Sequence, residues 1–173
     1  MSGLPAYAEL HCLTNFTFLT GASHPDELVS RARALEYEAL AITDECSLAG
    51  VVRAHAAAKE CGQHILIGSE IGLQDGLRLV LLACDREGYG NLSELITLGR
   101  RRAKKGSYRL ERSDLASGMP GCLALWLAGE EADAVDGRWL GRLFPDSAWI
   151  ACVLHRAGGD RQRLARLRKL GAG

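Results

Sequence analysis

Four side chains able to bind a metal recur where short apolar runs end. His11 lies within the first run, Asp44 and Glu45 directly follow the second, and Glu70 closes the third in Ile67-Gly68-Ser69-Glu70. One imidazole and two or three carboxylates meeting at one mouth would suit Zn, Mn or Fe, and such an ion activates water for hydrolysis of a phosphate ester. Each residue also has a plainer use: Asp44 as a helix cap, Glu70 as a solvated loop acid, His11 as a core histidine. Recurrence at successive strand ends is what favours the metal chemistry. His155 is a weaker candidate, and His24, His55 and His64 read as structural or exposed. No Gly-x-Gly-x-x-Gly or Gly-Lys-Ser/Thr follows a strand, so a nucleotide cradle is not expected. Ser23, Ser47 and Ser69 lack the glycine pattern of a nucleophile elbow.

A second chemistry is carried by charge. The net charge is zero, but residues 1–99 hold 6 Lys/Arg against 13 Asp/Glu, whereas residues 100–112 hold 7 against 1. Residues 113–155 are again acidic, with 2 against 6, and residues 156–173 basic, with 6 against 1. The run Arg100, Arg101, Arg102, Lys104 and Lys105 could neutralise nucleic-acid phosphate or meet an acidic partner. The plainer alternative is the last turn of a helix, where cations complement the macrodipole. Only Tyr108 supplies a nearby aromatic platform.

These groups must be positioned by an alternation of strands and helices. Ala8–Leu13, Ala39–Thr43, His64–Ile67, Arg78–Cys84, Cys122–Leu127 and Ala148–Leu154 read as strands. Helices are expected from about Pro25 to Tyr37 with Ser23 and Asp26 forming a capping box, and from Leu48 to Cys61, stopped by Gly62. Further helices are expected at Tyr89–Arg102, Ala134–Phe144 and Gln162–Leu170, and Asp75-Gly76 marks a turn. Strands apolar at nearly every position belong to a buried parallel sheet, so the fold class is α/β, with its site at the C-terminal strand ends. Open sheet and closed barrel are not separated by pattern.

The chain of 173 residues is one domain's worth, with 47% hydrophobic and 24% charged residues. Its apolar runs are far shorter than the roughly 20 residues of a membrane span, and Met1-Ser2-Gly3-Leu4-Pro5 does not read as a secretory signal. A soluble, cytoplasmic protein without membrane contact is the expectation. The six cysteines form no Cys-x-x-Cys pair, and Cys12, Cys84, Cys122 and Cys152, in or beside apolar runs, are expected as reduced core thiols.

Several ordered blocks then carry a resemblance. Glu9–Ser23, Ala39–Asp44, Gly50-Val51-Val52, Ile67–Ile71, Leu81-Leu82-Ala83 and Glu87–Leu92 resemble the polymerase-and-histidinol-phosphatase (PHP) domain that opens the bacterial replicative DNA polymerase III alpha subunit. Ala22–Pro25, Arg101–Tyr108 and Gly121–Trp126 resemble the phrases of the error-prone branch of that group. The resemblance implies a distorted parallel (β/α) barrel of PHP type spanning residues 1–173 and incomplete at its C-terminus, with a further strand expected after Gly173. It also implies a longer polymerase whose palm, fingers and thumb lie elsewhere.

By that resemblance His11, Asp44 and Glu70 match ligands of the family's metal cluster, with Glu45 a possible fourth. Leu13 stands where a second histidine is usual, Glu45 stands in another histidine's place, and a further family histidine falls near Arg78, a cation that repels a metal. The family's late Asp-x-His element has no counterpart before Gly173. The implied function is the N-terminal portion of an error-prone DNA-directed DNA polymerase in translesion synthesis and repair, the portion itself a scaffold with a degenerate metal site. Implied cofactors are Mg for the polymerase and residual Zn or Mn in the PHP site; implied partners are DNA, the sliding clamp and accessory translesion polymerase proteins. Two rivals stand beside it. One is a stand-alone metal-dependent phosphoesterase using His11, Asp44, Glu45 and Glu70, with Cys46 as a further donor; the other is a metal-free module whose basic loop meets DNA or protein.

Overall fold

Ala39–Ile42 forms the strand β2, buried at all four positions, and everything N-terminal in the fold is built around it. The computed structural model describes residues 6–154, 156 and 158–171, so His155 lies outside the described residues. β1 (Ala8–Cys12) and β3 (Ile65–Gly72) flank β2, both parallel to it. The links between them are the helices α1 (Pro25–Ala34) and α2 (Val51–Cys61). Residues of this length are what a parallel crossover needs. β4 (Arg78–Ala83), α3 (Arg86–Arg101), β5 (Cys122–Trp126), α4 (Ala134–Leu143), β6 (Ala148–Ile150) and α5 (Asp160–Gly171) follow. One six-stranded sheet results, in the order β1-β2-β3-β4-β5-β6, curled into a half-barrel.

The α/β class holds, but the uniformly parallel sheet does not. β4 is antiparallel to both β3 and β5, and only the β5–β6 pair returns to parallel. The cause is local. The third strand runs on to Gly72 instead of stopping at Ile67, and the link to β4 is only residues 73–77, too short for a crossover. Asp75-Gly76 makes that link a hairpin: Gly76 has φ 91°, the Leu73 amide donates to Leu77 O at 2.8 Å, and the Leu77 amide donates to Asp75 Oδ1.

Alternation along the strands separates two faces. Leu40 and Ile42 face Val29, Ala32, Val51, Ala54 and Ala58 of α1 and α2. Leu79 and Leu81 face Leu92 and Leu95 of α3, in a core that reaches Leu140 and Leu167 of α4 and α5. The register Ile67↔Ala83, Ser69↔Leu81 and Ile71↔Leu79 puts both clusters on the same, convex side. The concave side carries Ala41, Val80, Leu82 and Leu125. Gly68 shares that side, and a Cβ there would lie 2.6 Å from Leu81 O, so the curl needs glycine at this point.

Other differences are small. α1 is capped one residue later than expected: the Glu27 carboxylate accepts the His24 amide at 2.8 Å, while Ser23 uses its carbonyl on Asn15. α2 starts at Val51 and α3 at Arg86, where the Asp85 side chain accepts the Gly88 amide. β6 stops at Ile150. All six cysteines are free, but Cys84 and Cys152 are exposed; Cys46 and Cys122 are the buried pair. Burial raises the thiol pKa of each buried cysteine to about 11. Among the described residues no helix is long and apolar enough to cross a membrane.

α3 rests on the turn before β5 through bare backbone. A Cβ at Gly88 would stand 1.9 Å from Gly121 O, with no side chain there able to yield. Gly88→Ala is therefore expected to cost about 1–3 kcal/mol, read as a lower denaturant midpoint, whereas Gly90→Ala on the open side of α3 should not destabilise.

Candidate functional site: a carboxylate cluster at the mouth of the sheet

Glu70 lies on the concave face of β3, paired with Val80, and its side chain is 3% exposed. A carboxylate this buried must be compensated. His11 Nε2, from β1, stands 2.7 Å from Glu70 Oε2. Arg78, at the start of β4, donates from Nε to Glu70 Oε1 at 2.9 Å, and one terminal guanidinium nitrogen donates to the same oxygen. Burial pushes the Glu70 carboxyl up, but the hydrogen bonds from His11 and Arg78 outweigh it and hold the group below its ordinary 4.5. Arg78 reaches Glu70 because its direct partner across the ladder is Gly72, which has no side chain, and Glu70 is the diagonal neighbour on the same face.

The same guanidinium comes within 4.0 Å of Glu45 Oε1. That oxygen also accepts the Tyr108 hydroxyl at 2.7 Å, and Tyr108 in turn accepts the Gly72 amide at 3.0 Å. Burial first, then the neighbouring Glu45 carboxylate, pushes the Tyr108 hydroxyl well above its usual range. The backbone is fastened alongside. Glu70 donates its amide to Thr43 O and accepts the Cys46 amide, Ser69 Oγ donates to Asp44 O, and the chain turns left-handed at Cys46 (φ 45°).

Asp44 faces elsewhere. It is 1% exposed, and its carboxylate is occupied by the loop after β1. Oδ1 accepts the Thr14 amide at 2.8 Å and the Thr17 hydroxyl at 2.7 Å, and Oδ2 accepts the Thr14 hydroxyl at 2.8 Å. Thr17 Oγ1 then accepts the Glu45 amide. The structure thus brings His11 and Glu70 together, links Glu45 to them through Arg78, ties Glu45 to the Gly72 backbone through Tyr108, and turns Asp44 to the 14–17 loop. Thr14, Thr17, Tyr108 and the bridging role of Arg78 were not foreseen from sequence. The signal available was Thr14-x-x-Thr17 after a strand, two hydroxyls three residues apart.

The donor set does not fit a divalent metal. Both Glu70 oxygens, the Asp44 carboxylate and Glu45 Oε1 have partners, and a guanidinium lies among them. Among the described residues, no three His, Cys, Asp or Glu side chains converge closely enough to hold an ion.

The basic run divides in two. Arg100 donates to Cys46 O at 3.0 Å and Glu45 O at 3.1 Å and lies over the Tyr108 ring, 5.4 Å from its centroid. One terminal guanidinium nitrogen of Arg102 donates to both Asp114 carboxylate oxygens, at 2.6 and 2.7 Å. All five are exposed, but the side chains of Arg101, Lys104 and Lys105 make no hydrogen bond or ion pair among the described residues.

A curled sheet with helices on its convex side is a fold shared with two solved structures. A Bifidobacterium adolescentis protein described as a metal-dependent phosphoesterase superposes with TM-score 0.67 at 17% identity, over 98% of this chain and 84% of that one. An amidohydrolase from Chromobacterium violaceum gives 0.59 at 16% identity, over 84% and 76%. The PHP domain profile matches residues 9–138, and the chain belongs to the PHP domain family. Among curated relatives, the error-prone DNA polymerase of Dechloromonas aromatica is 59% identical over 173 residues, 97% of this chain and 17% of that protein. The error-prone DNA polymerase of Methylococcus capsulatus is 57% identical over 95% of this chain and 16% of its own length. The chain therefore spans about a sixth of these relatives.

Asp44→Asn keeps the size of the side chain but sets an amide donor against the Thr14 hydroxyl. We expect a loss of about 1.5–3 kcal/mol in urea unfolding and earlier proteolysis in the 14–21 loop.

Proposed function

We propose that the chain is the N-terminal PHP portion of an error-prone DNA-directed DNA polymerase acting in translesion synthesis and DNA repair, and that the portion is a scaffold with a degenerate metal site. The observation that carries this reading is the 59% identity, over almost the whole chain, to a protein named for that activity. On this reading residues 1–173 are one PHP domain, and palm, fingers and thumb with their Mg site belong to the rest of a longer protein. Template DNA, the sliding clamp and accessory translesion polymerase proteins are its partners, in the cytoplasm. His11, Asp44 and Glu70, with Glu45, are the remnant of the family's cluster, kept for the hydrogen bonds each makes: His11 with Glu70, Glu70 with Arg78, Glu45 with Tyr108, and Asp44 with Thr14 and Thr17.

The stand-alone phosphoesterase has the fold in its favour, through a likeness of 17% identity. It needs free donors around an ion, and the mouth offers carboxylates already bonded to Arg78, Tyr108 and two threonines. The deciding experiment is to read the gene beyond codon 173, express the whole product, and assay primer extension past an abasic site. Extension that depends on Mg and on downstream acidic residues supports the reading. A product lacking extension but hydrolysing a phosphate ester, lost in Glu70→Gln, overturns it.

The part of the basic run whose side chains are not bonded within the fold gives a separate reading of how the portion meets DNA. Arg101, Lys104 and Lys105 extend from the end of α3, while Arg100 and Arg102 hold the loop in place. Reversing Arg101, Lys104 and Lys105 to Glu is expected to weaken DNA binding and to flatten its salt dependence by about one unit of slope per lost phosphate contact. Affinity that survives the reversal removes this loop from the DNA interface.

A further inference from the structure

Arg78 does more than exclude a metal. Its guanidinium occupies the point where the three carboxylate-bearing or imidazole-bearing segments of the mouth meet. It bonds Glu70 of β3, which holds His11 of β1, and it faces Glu45 of the segment after β2, which holds Tyr108. A bound divalent ion in such a place would cross-link the same strands through the same oxygens. The positive charge is instead covalently part of β4, so no loading step is needed and no other cation can share Glu70 Oε1 without approaching the guanidinium. The site is also preformed by the sheet: Gly72 opposite Arg78 leaves the space, and a Cβ at Gly72 would already lie 3.0 Å from the Tyr108 hydroxyl.

We infer that the Arg78 guanidinium is the resident cation of this mouth, a built-in replacement for a bound metal that cross-links β1, β3, β4 and the segment after β2. This inference rests on the scaffold reading of the mouth and not on the polymerase assignment, so a failed primer-extension assay leaves its test intact. Arg78 acts as a positioning residue here, through Glu70 and Glu45.

The test uses the purified chain, metal analysis and thermal unfolding. After dialysis against Zn²⁺ or Mn²⁺ and then buffer, the native protein is expected to retain well under one equivalent. Its Tm is expected to be unmoved by EDTA or by added metal. Arg78→Met is expected to lower Tm by about 4 °C or more, and Arg78→Lys, which keeps the charge but not the fork, to recover part of that loss. Arg78→His removes the guanidinium and sets a neutral donor beside Glu70 and His11; it is expected to gain a Zn²⁺-dependent rise in Tm together with bound Zn.

Near-stoichiometric metal in the native protein, with a Tm that falls in EDTA, overturns the inference. So does an Arg78→Met variant of unchanged Tm, or an Arg78→His variant that gains no metal. Should Arg78→Met fail to fold, the native metal content and the Arg78→Lys and Arg78→His responses decide the matter.

Discussion

The buried carboxylate of Glu70 is the constraint on which the mouth depends. An ionised group at 3% exposure is tolerable only when it is paired and hydrogen-bonded, and the partners of the carboxylate come from two separate segments. β1 brings His11, β4 brings Arg78, and the backbone of Glu70 itself pins residues 43 and 46. Satisfying one side chain therefore sets the spacing of β1, β3 and β4 at the open end of the sheet. Asp44 does the equivalent service one step away, converting the link between β1 and α1 into an ordered loop through Thr14 and Thr17.

Such bonding lets the mouth of the curled sheet be held together by protein groups alone. The concave face is apolar below, with Ala41, Val80, Leu82 and Leu125, and polar only at its rim. In that setting a rim carboxylate without a partner would be a destabilising charge, and Arg78 answers it with two guanidinium nitrogens on Glu70 Oε1. The neighbouring Arg100 extends the same logic outward, tying α3 to the backbone carbonyls of Glu45 and Cys46.

Much of the frame was legible in the sequence because short apolar runs bounded by polar residues mark buried strands. Ala39–Ile42, Arg78–Ala83 and Cys122–Trp126 lie within a residue of where periodicity put them. Strand direction was not legible, since an apolar run reads alike in both senses; the five-residue link 73–77 decided it. The site divides in the same way. His11, Glu45 and Glu70 stood out by residue type and do meet through one network, but the partner of each was hidden. His11 and Glu70 are 59 positions apart, and the donors that occupy Asp44 are threonine hydroxyls and an amide, groups that leave no periodic trace. Arg78 was visible as a cation, and its place as the hub of the cluster followed only from β4 running antiparallel.

The spatial order of the strands is their order along the chain, and this governs how the molecule can be assembled. Each new strand docks on the one made just before it, so no gap in the sheet waits for a segment not yet synthesised. Pairing between chain neighbours keeps loop-closure entropy small, and the β3–β4 hairpin is the most local pairing of all. A ribosome releasing such a chain from its N-terminus delivers strands in the sequence in which the sheet consumes them. The growing edge always lies beside the strand made last, and the architecture is suited to folding while it is being made.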